Sequence, residues 1–539
     1  MMGMNTATSG LHAAQSGLNV TGHNMANNQV KGFSRQRSIQ QDMWYRGVGS
    51  NANGKMQIGT GVDIIGIRQI RNEFLDLNYR KEVGKLNYFN TKYSIGMDIQ
   101  SAVGELQSAY ATQTVITDLW SSLQDLTIDP SSIETRGNFI STCISFLDKM
   151  DNMYRRLTLD QNNLNEEVIK TVDNINQITE EIHNLNIVIR EQEAYGQYAN
   201  DYRDQRNLLL DELSKLINIE YKENSNGEVQ VFTEGKELIS NGTVNKLGLR
   251  YTSPNYSFVE PVFTNSKEIL PFDKTFKNAK SLYNFCEKGR DNTEESGHLK
   301  SLLISRGFYP ANFDSLNYKP NPDDYPNGEN DENYKIALER NKFNATKSTI
   351  PKAMRELDIL FNKIITLIND SFADGYNLNG ENDPNFKVFE LKNGKGLYSL
   401  GNVIINPKVS GSPEGYNLLQ LSKNPDKGDA GVVKDILEKW KEKNTSIDGS
   451  PEMNIDGIYS YFINNLAEEV KRDKDKLGSQ EILVNKTDSA RMEISGVSLD
   501  EEMSNMMIYQ HAYNAAARMI NTIDSMIDTL VNRTGRVGL

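Results

Sequence analysis

The chain begins with apolar residues that recur at heptad intervals. Met4, Leu11, Leu18 and Met25 are seven residues apart, with Ala7, Ala14 and Thr21 between them, and this spacing predicts one seam of a coiled coil. Residues 1–30 contain no Lys, Arg, Asp or Glu, so the rest of this helix carries no formal charge. The pattern therefore predicts an uncharged N-terminal helix that needs a helical partner.

A strip of glycines accompanies this seam. Gly3, Gly10 and Gly17 have the same seven-residue spacing, and a second helix backbone can approach closely where there is no Cβ. Each Gly in a helix interior costs about 1 kcal/mol relative to Ala, so three cost about 3 kcal/mol, which is comparable with the stability of a short isolated helix. We therefore expect this end to become ordered only when it packs against partners.

The C-terminal segment carries the strongest heptad pattern of the chain. Ser498 and Glu501 predict a capping box at the start of a helix that extends over residues 499–531. Its two seams are formed by Leu499, Met506, Tyr513, Ile520 and Ile527, and by Tyr509, Ala516, Ile523 and Leu530. Two heptad helices at opposite ends of the chain predict that the termini pair and that everything between them is an insertion.

The middle of the chain starts with helical patterns. Residues 157–189 predict another long helix with apolar seams, and residues 72–106, 133–154 and 201–217 are candidate partners for it. After residue 217 the apolar residues alternate with polar ones instead of following a helical period. This alternation flanks Asn226-Gly227, and an Asn-Gly pair in such a setting is a strong hairpin signal. A second turn is predicted at Asn241-Gly242.

Further elements follow this β-rich segment. Residues 319–333 are rich in Pro, Gly, Asp and Asn and predict an exposed loop. Helical pattern resumes at Ile350, with Pro351 in the first turn, and residues 403–405 predict a short strand. A last internal helix is expected from residue 455 to about residue 477, followed by a polar stretch to Met492.

These elements predict a mainly α, multidomain α+β protein with a β-rich insertion. We expect a terminal coiled-coil domain from residues 1–60 and 495–539, and a helical-bundle domain from residues 61–218, 345–380 and 455–494. Residues 219–344 form the β-rich outer insertion, and residues 381–454 form a mixed α/β segment.

Composition narrows the functional classes. The chain has 539 residues and a formal net charge of -13, and a net negative field repels nucleic acid and anionic lipid. No apolar stretch approaches the ~20 residues of a membrane-spanning helix. The first basic residue is Lys31, so we expect no cleaved signal peptide. Neither nucleic acid nor membrane is an expected partner.

The sequence offers no assembled catalytic or metal site. Five histidines are scattered, and no zinc-protease, phosphate-loop or nucleophile-elbow motif is present. Acidic and amide residues at 323–332 and 377–383 are oxygen-rich, but the first of these loops fits an EF-hand poorly, with Tyr325 and Tyr334 at ligand positions. Cys143 and Cys286 are either free thiols or one bridge. We expect no cofactor, no metal and no enzymatic activity.

The two ends also carry motifs of a known family. Residues 9–15, 24–27 and 32–36 resemble the N-terminal signature of bacterial flagellar axial proteins. The run Ser-Gly-Val-Ser-Leu-Asp-Glu-Glu at residues 495–502 and residues 509–517 resemble the C-terminus of the hook-associated protein 1 (FlgK) family. Beside the two seams and Gly10 and Gly17, the candidate assembly residues are Asn24, Asn27, Gly32, Arg35, Ser495, Gly496, Val497, Asp500, Glu501, Glu502 and Gln510.

The resemblance implies a structural subunit that is exported unfolded by the flagellar secretion apparatus. It implies a junction ring between hook and filament, ordered by polymerisation of the terminal helices in the extracellular flagellum. The implied partners are further copies of the chain, the hook protein, a second junction protein and an export chaperone that binds the C-terminal helix. The alternatives are a sibling axial protein of the hook or distal rod, and an adhesin or calcium-binding module carried by the insertion.

Overall fold

The computed structural model describes residues 2–51, 54–104, 111–240, 242–253, 256–264, 269–270, 281–283, 285, 295–311, 322, 327–392 and 397–533. The chain forms two compact units. Unit 1 comprises Met1–Gly84, Asn176–Asn245 and Glu481–Leu539, and unit 2 comprises Lys85–Ile175 and Lys246–Gln480. Three long helices contribute residues to both units.

Helices dominate the described part of the chain. They are α1 (Met2–Ala26), α2 (Glu73–Val103), α3 (Thr112–Ile128), α4 (Ile133–Glu193), α5 (Asn200–Leu216), α6 (His298–Arg306), α7 (Glu332–Thr346), α8 (Thr349–Ala373), α9 (Pro407–Ser410), α10 (Gly431–Lys441), α11 (Ile455–Ser495) and α12 (Leu499–Asp528). A single π-helical turn, Thr529–Arg533, continues α12.

The strands form small separate sheets. They are β1 (Gln36–Asp42), β2 (Tyr45–Asn51), β3 (Gly54–Gly59), β4 (Val62–Gln69), β5 (Glu220–Glu223), β6 (Val229–Thr233), β7 (Lys236–Ser240), β8 (Thr243–Val244), β9 (Leu247–Ser253), β10 (Tyr256–Phe263), β11 (Ile269–Leu270), β12 (Phe389–Leu391) and β13 (Val403–Ile405). β1 pairs with β4, β2 with β3 and β12 with β13, all antiparallel. The orders of the larger sheets are β5-β6-β7-β8 and β10-β9-β11.

Unit 1 buries the C-terminal part of α4 together with α5 and the four-stranded sheet. Ile182 and Ile189 of α4, Leu210 and Leu213 of α5 and Val231 of β6 have no exposed surface. Residues along β6 are alternately buried and half-buried, so one side of the strand, with Val229, Val231 and Thr233, faces the interior. The remaining elements of unit 1, α1, α12 and β1 to β4, contain few buried apolar side chains.

Unit 2 has a core of aromatic and aliphatic residues. Phe139 and Phe146 of α4 meet Phe372 and Phe361 of α8 at ring-centroid distances of 5.9 and 5.7 Å. These rings are fully buried. Aromatic pairs in such geometries add to the stabilisation from burial, so unit 2 holds its helices together with a dense apolar interior.

Several sequence-based predictions are confirmed. The mainly α fold with a β-containing insertion is present. Tyr221 pairs with Val231 across the turn at Asn226-Gly227, and β13 has the predicted bounds. Pro351 lies in the first turn of α8. The seams of the central helix are buried except at Leu185, which is half-buried.

Two helices are longer than predicted. The segments 133–154 and 157–189, expected as separate helices, form the single helix α4, because the residues that join them include no Pro or Gly. α11 was expected to end near residue 477, but it continues through the polar stretch that follows, to Ser495. Its Lys, Glu and Gln residues are good helix formers, so polarity there marks exposure and not the end of the helix.

The strands β1 to β4 were missed. They lie within residues 36–69, which were assigned to the coiled-coil and bundle domains. The segment 219–344 was predicted to be a β-rich insertion, and its described residues contain β5 to β11 together with α6 and most of α7. The four predicted domain boundaries stay a prediction.

Some predicted features cannot be compared with structure. Cys286, Asn241 and residues 323–326 lie outside the described residues. Cys143 is a buried free thiol, and burial raises the pKa of that thiol well above its ordinary value. In the oxygen-rich turn at Asn377, the side-chain oxygen accepts hydrogen bonds from the backbone N–H groups of Asn379 and Glu381.

Two kinds of feature are absent from the described residues. Among them, no helix is both long enough and apolar enough to cross a membrane. Within the same residues, no group of three or more His, Cys, Asp or Glu side chains is placed to hold a metal ion.

Candidate functional site: the paired terminal helices

The two terminal helices of unit 1 lie side by side in antiparallel orientation. A Cβ added at Gly3 would lie 3.2 Å from Ile523, and one added at Gly17 would lie 2.6 Å from the Tyr509 ring. Farther along, the Asn24 side chain donates a hydrogen bond to Glu502 at 3.2 Å. The predicted meeting of the chain ends is therefore present within one copy of the chain.

α12 starts where the capping pattern predicts. The Ser498 hydroxyl accepts from the Glu501 N–H at 3.5 Å, and the three acidic residues Asp500, Glu501 and Glu502 occupy the first turn. Negative charge is favourable there because of the helix dipole. The Glu501 carboxylate is bonded to Arg35, so Arg35 rather than a backbone N–H is the partner of this side chain.

The face of α1 that contacts α12 consists of small residues. Gly17 and Asn24 are buried, and Gly10 is half-buried with no atom within 4 Å of an added Cβ. The other buried side chains of α1 are Ala7, Ala13, Ala14, Val20 and Thr21. Small residues allow two helix backbones to approach closely, and this explains why the glycine strip faces the partner helix.

The large apolar residues of α1 lie beside this face. Met4 is exposed, and Leu11, Leu18 and Met25 are half-buried. They were predicted to form the seam together with Ala7, Ala14 and Thr21, which are buried. The closest approaches to α12, at Gly3 and Gly17, lie on the neighbouring glycine strip, where the absence of a Cβ lets two backbones come close together.

The predicted C-terminal seams do face α1. Met506, Tyr509, Tyr513, Ala516, Ile520, Ile523 and Ile527 are half-buried, whereas Leu499 and Leu530 at the two ends are exposed. The only fully buried residue of α12 among those described is Glu502. This helix therefore leaves much of its apolar surface uncovered within one chain.

A second apolar strip runs along the outer face of α12. Ile508, Ala512, Ala515, Met519, Thr522 and Met526 alternate at spacings of four and three residues, and all are exposed. This is the spacing of a helix-packing seam. We call these six residues the outer strip of α12.

Charged and amide side chains gather where α12 begins. Arg35 forms two hydrogen bonds to Glu501, at 2.7 and 3.0 Å, and its Nε lies 2.8 Å from Glu502. Asn24 completes the group through Glu502 and through both backbone groups of Gln36. The hydrogen bonds from Arg35 hold the pKa of the Glu501 carboxyl below its usual value.

The family-motif residues lie around this cluster. The Ser495 carbonyl accepts from the Arg35 N–H at 2.8 Å, and Ser495 itself is buried. An added Cβ at Gly496 would lie 2.4 Å from the Met492 carbonyl oxygen. Val497 is half-buried, and Asp500 and Gln510 are exposed.

The remaining candidate residues shape the turn after α1. The Asn27 amide donates to the His23 carbonyl at 3.0 Å, as expected near a helix end. Gly32 has φ +85, a conformation that favours glycine, and an added Cβ would lie 3.3 Å from Leu208.

The contacts that join this turn to α5 and to Arg71 were not predicted from the sequence. Asp204 of α5 accepts from the Ser34 N–H at 3.0 Å, and Arg71 donates to the Ser34 hydroxyl at 2.9 Å. Arg71 also binds Asp76. The available signal was the occurrence of Asn24 and Glu502 on otherwise apolar helix faces, since buried polar residues need partners.

Comparison with known proteins gives two family matches. Residues 97–387, more than half of the chain, match the family profile described as flagellar hook-associated protein FlgK helical domain. Residues 488–533 match the profile described as flagellar basal body rod FlgEFG protein C-terminal.

Curated relatives cover nearly the whole chain. Flagellar hook-associated protein 1 of Bacillus subtilis is 26% identical over 99% of this chain and 98% of the relative. The protein of the same name from Escherichia coli is 22% identical over 98% of this chain and 99% of the relative.

A solved structure shares the fold. The flagellar hook junction protein FlgK from Burkholderia pseudomallei superposes with a TM-score of 0.52 at 12% identity. The match covers 79% of this chain and 100% of that chain. At this identity the match shows similarity of fold.

Proposed function

The chain belongs to the family of the flagellar hook-associated protein FlgK and has a flagellar structural role, and from this premise we propose that it forms the junction ring between hook and filament. In this proposal its function is mechanical and not enzymatic. The terminal helices join each copy to its neighbours.

The exposed outer strip of α12 is the observation that carries this proposal. Met519 is 53% exposed and Met526 is 59% exposed. Monomeric proteins rarely leave a long apolar strip uncovered without an interaction partner. Since α1 covers only the opposite face of α12, the outer strip is available to another subunit.

The large apolar residues of α1, which are exposed or half-buried, support the same role. Met4, Leu11, Leu18 and Met25 keep their heptad spacing on a helix without formal charge. Covering such a surface removes apolar area from water and buries no charge. In our proposal these four residues are assembly contacts between copies and are not the seam of the intrachain pair.

We also propose the partners and the export route that family membership implies. The ring contacts further copies of the chain, the hook protein and a second junction protein in the extracellular flagellum. The chain passes the flagellar secretion apparatus unfolded, with an export chaperone bound to the C-terminal helix. The cost of three glycines in α1, about 3 kcal/mol, favours an N-terminal end that unfolds readily.

Charge substitutions on the outer strip test the assembly role. Met519→Glu places a carboxylate on the strip, and Asn521→Glu adds the same charge at an exposed position elsewhere on α12. We expect Met519→Glu to reduce incorporation into flagella at least tenfold in cells that lack their own copy, because a buried unpaired charge is costly. Incorporation is measured by immunoblotting of isolated flagella.

The control separates position from charge. Asn521→Glu should assemble normally, and both variants should have the same thermal unfolding as the original chain. Normal incorporation of Met519→Glu would show that the outer strip is not an assembly surface.

A sibling role in the rod remains a second candidate, since residues 488–533 match the rod profile. Location by immunoelectron microscopy distinguishes the two roles.

A further inference from the structure

The terminal helix pair is joined to the rest of unit 1 through buried polar groups. Among the side chains between Val20 and Val83 whose burial the structure describes, no apolar one is buried. The buried residues there are Thr21, Asn24, Ser34, Gln36, Ser38, Asp76 and Arg80. After Val484, the buried residues described are Ser495 and Glu502. This composition differs from that of an ordinary core.

The segment 34–36 lies at the centre of this polar region. On one side, the Arg35 side chain binds Glu501 and Glu502, and its backbone N–H donates to the Ser495 carbonyl. Gln36 exchanges two backbone hydrogen bonds with the Asn24 side chain, at 2.9 and 3.0 Å. These contacts tie the segment to the end of α1 and the start of α12.

The same segment is bound to α5 on its other side. The Ser34 N–H donates to Asp204 at 3.0 Å, and the Gln36 amide donates to Asp201 at 3.3 Å. Arg71 bridges Ser34, Asp204 and Asp76. The segment therefore has polar partners on both the terminal helices and α5.

Apolar contacts at this place are limited. The His23 and Phe33 rings meet edge to face at 5.5 Å, and Gly32 faces Leu208. Hydrophobic contacts are not directional, whereas bidentate Arg–carboxylate pairs and amide hydrogen bonds require a particular geometry. A buried ion pair is weak evidence for net stability, and in some proteins such polar groups specify one arrangement of the packed elements instead.

We propose that Arg35, with Glu501, Glu502 and Asn24, is a polar joint that sets the orientation of the terminal helix pair relative to α5. Loss of the joint frees the pair to change its angle, while the contacts between α1 and α12 remain. In this role Arg35 is a positioning residue. The proposal goes beyond the assembly role and is testable on the purified chain.

Pairs of spin labels measure orientation and pairing separately. Labels at Gln205 of α5 and Arg518 of α12 span the joint, and labels at Gln15 of α1 and Arg518 report on the helix pair itself. All three positions are exposed. Cys286 is replaced by Ser, and Cys143 is buried. Electron–electron double resonance on the full-length chain gives the distance distribution for each pair of labels.

The decisive comparison is Arg35→Met against Arg37→Met, which removes the same charge from an exposed position two residues away. We expect Arg35→Met to broaden the 205–518 distribution at least about twofold and to leave the 15–518 distribution unchanged. Arg37→Met should change neither distribution. Glu502→Gln, which keeps the size of the side chain but removes its charge, should also broaden the 205–518 distribution.

Two results would overturn the proposal. An unchanged 205–518 distribution in both Arg35→Met and Glu502→Gln would show that the cluster does not set the orientation. Broadening of both distributions would show that Arg35 holds the helix pair together instead of orienting it. Neither result bears on the assembly role, because the measurement uses the unassembled chain.

Discussion

The helices α8 and α12 are of similar length but differ in where their apolar residues are covered. α8 buries Leu357, Phe361 and Ile364 completely within unit 2, whereas the only buried residue described in α12 is Glu502. Full burial of a large apolar side chain stabilises a fold by about 1.5–3 kcal/mol. α8 thus gains its stability within the chain, and in our proposal α12 gains most of its stability from contacts made on assembly.

The largest expected effect of a substitution lies in α8. Phe361→Ala removes a buried ring that stacks on Phe146 at 5.7 Å, and we expect a loss of about 3–5 kcal/mol in the free energy of unfolding of unit 2. Met519→Ala on the exposed strip should cost less than about 0.5 kcal/mol. Urea titrations followed by circular dichroism measure the free energy of unfolding of both variants. Equal losses would contradict the difference in burial between α8 and α12.

A buried carboxyl in α8 predicts a pH dependence. Burial raises the pKa of Asp358 to about 7, opposed by the hydrogen bond that it accepts from the Leu400 N–H. The folded state then binds more protons than the unfolded state between about pH 4 and 7. Stability of unit 2 should therefore fall as pH rises through this range, by on the order of a few kcal/mol.

Asp358→Asn isolates this contribution. The amide oxygen can still accept from the Leu400 N–H, but the side chain no longer titrates. We expect the downward slope of thermal stability between pH 4 and 8 to become shallower in the variant; the slope that remains comes from Glu356 of α8, since burial also raises the pKa of that carboxyl to about 7. Identical slopes for the two proteins would mean that Asp358 is not the source of the pH dependence.

Two glycines of α1 should respond in opposite ways. Ala at position 17 would place a Cβ 2.6 Å from the Tyr509 ring, whereas position 10 has no atom within 4 Å. We expect Gly17→Ala to destabilise the helix pair by about 1–2 kcal/mol and Gly10→Ala to stabilise α1 by up to about 1 kcal/mol.

Hydrogen exchange in α1 measures this difference locally. Amides of α1 should exchange about tenfold faster in Gly17→Ala and slower in Gly10→Ala. Similar exchange in the two variants would contradict the close approach of α12 to the glycine strip at Gly17.

Local signals predicted the elements that depend on neighbouring residues. The Ser498 cap, the Asn226-Gly227 turn and the strand at residues 403–405 are specified within a few positions of sequence. Pairings between segments that are distant in sequence were harder to predict. β1 contains Gln, Arg, Ser and Asp with a single Ile39, so its pairing with β4 leaves no alternating apolar pattern to detect.

The candidate site was predictable where local sequence spacing specifies it and was not predictable where it depends on long-range contacts. Heptad spacing identified both helices and the α12 residues that face α1. It placed Met4, Leu11, Leu18 and Met25 in the α1 seam beside the smaller Ala7, Ala14 and Thr21, since a pattern of apolar positions does not distinguish side chains by size. The polar joint required knowledge of tertiary contacts, because Arg35 and Asp204 are far from their partners in sequence.

Hydrogen exchange of the isolated chain and of assembled flagella tests the central claim, that the terminal helices acquire most of their stability on assembly. We predict that amides in residues 4–25 and 499–531 exchange through local opening in the isolated chain, far faster than those of α8, and become strongly protected in flagella. Equal protection of these residues in both states, at the level of α8, would contradict the account.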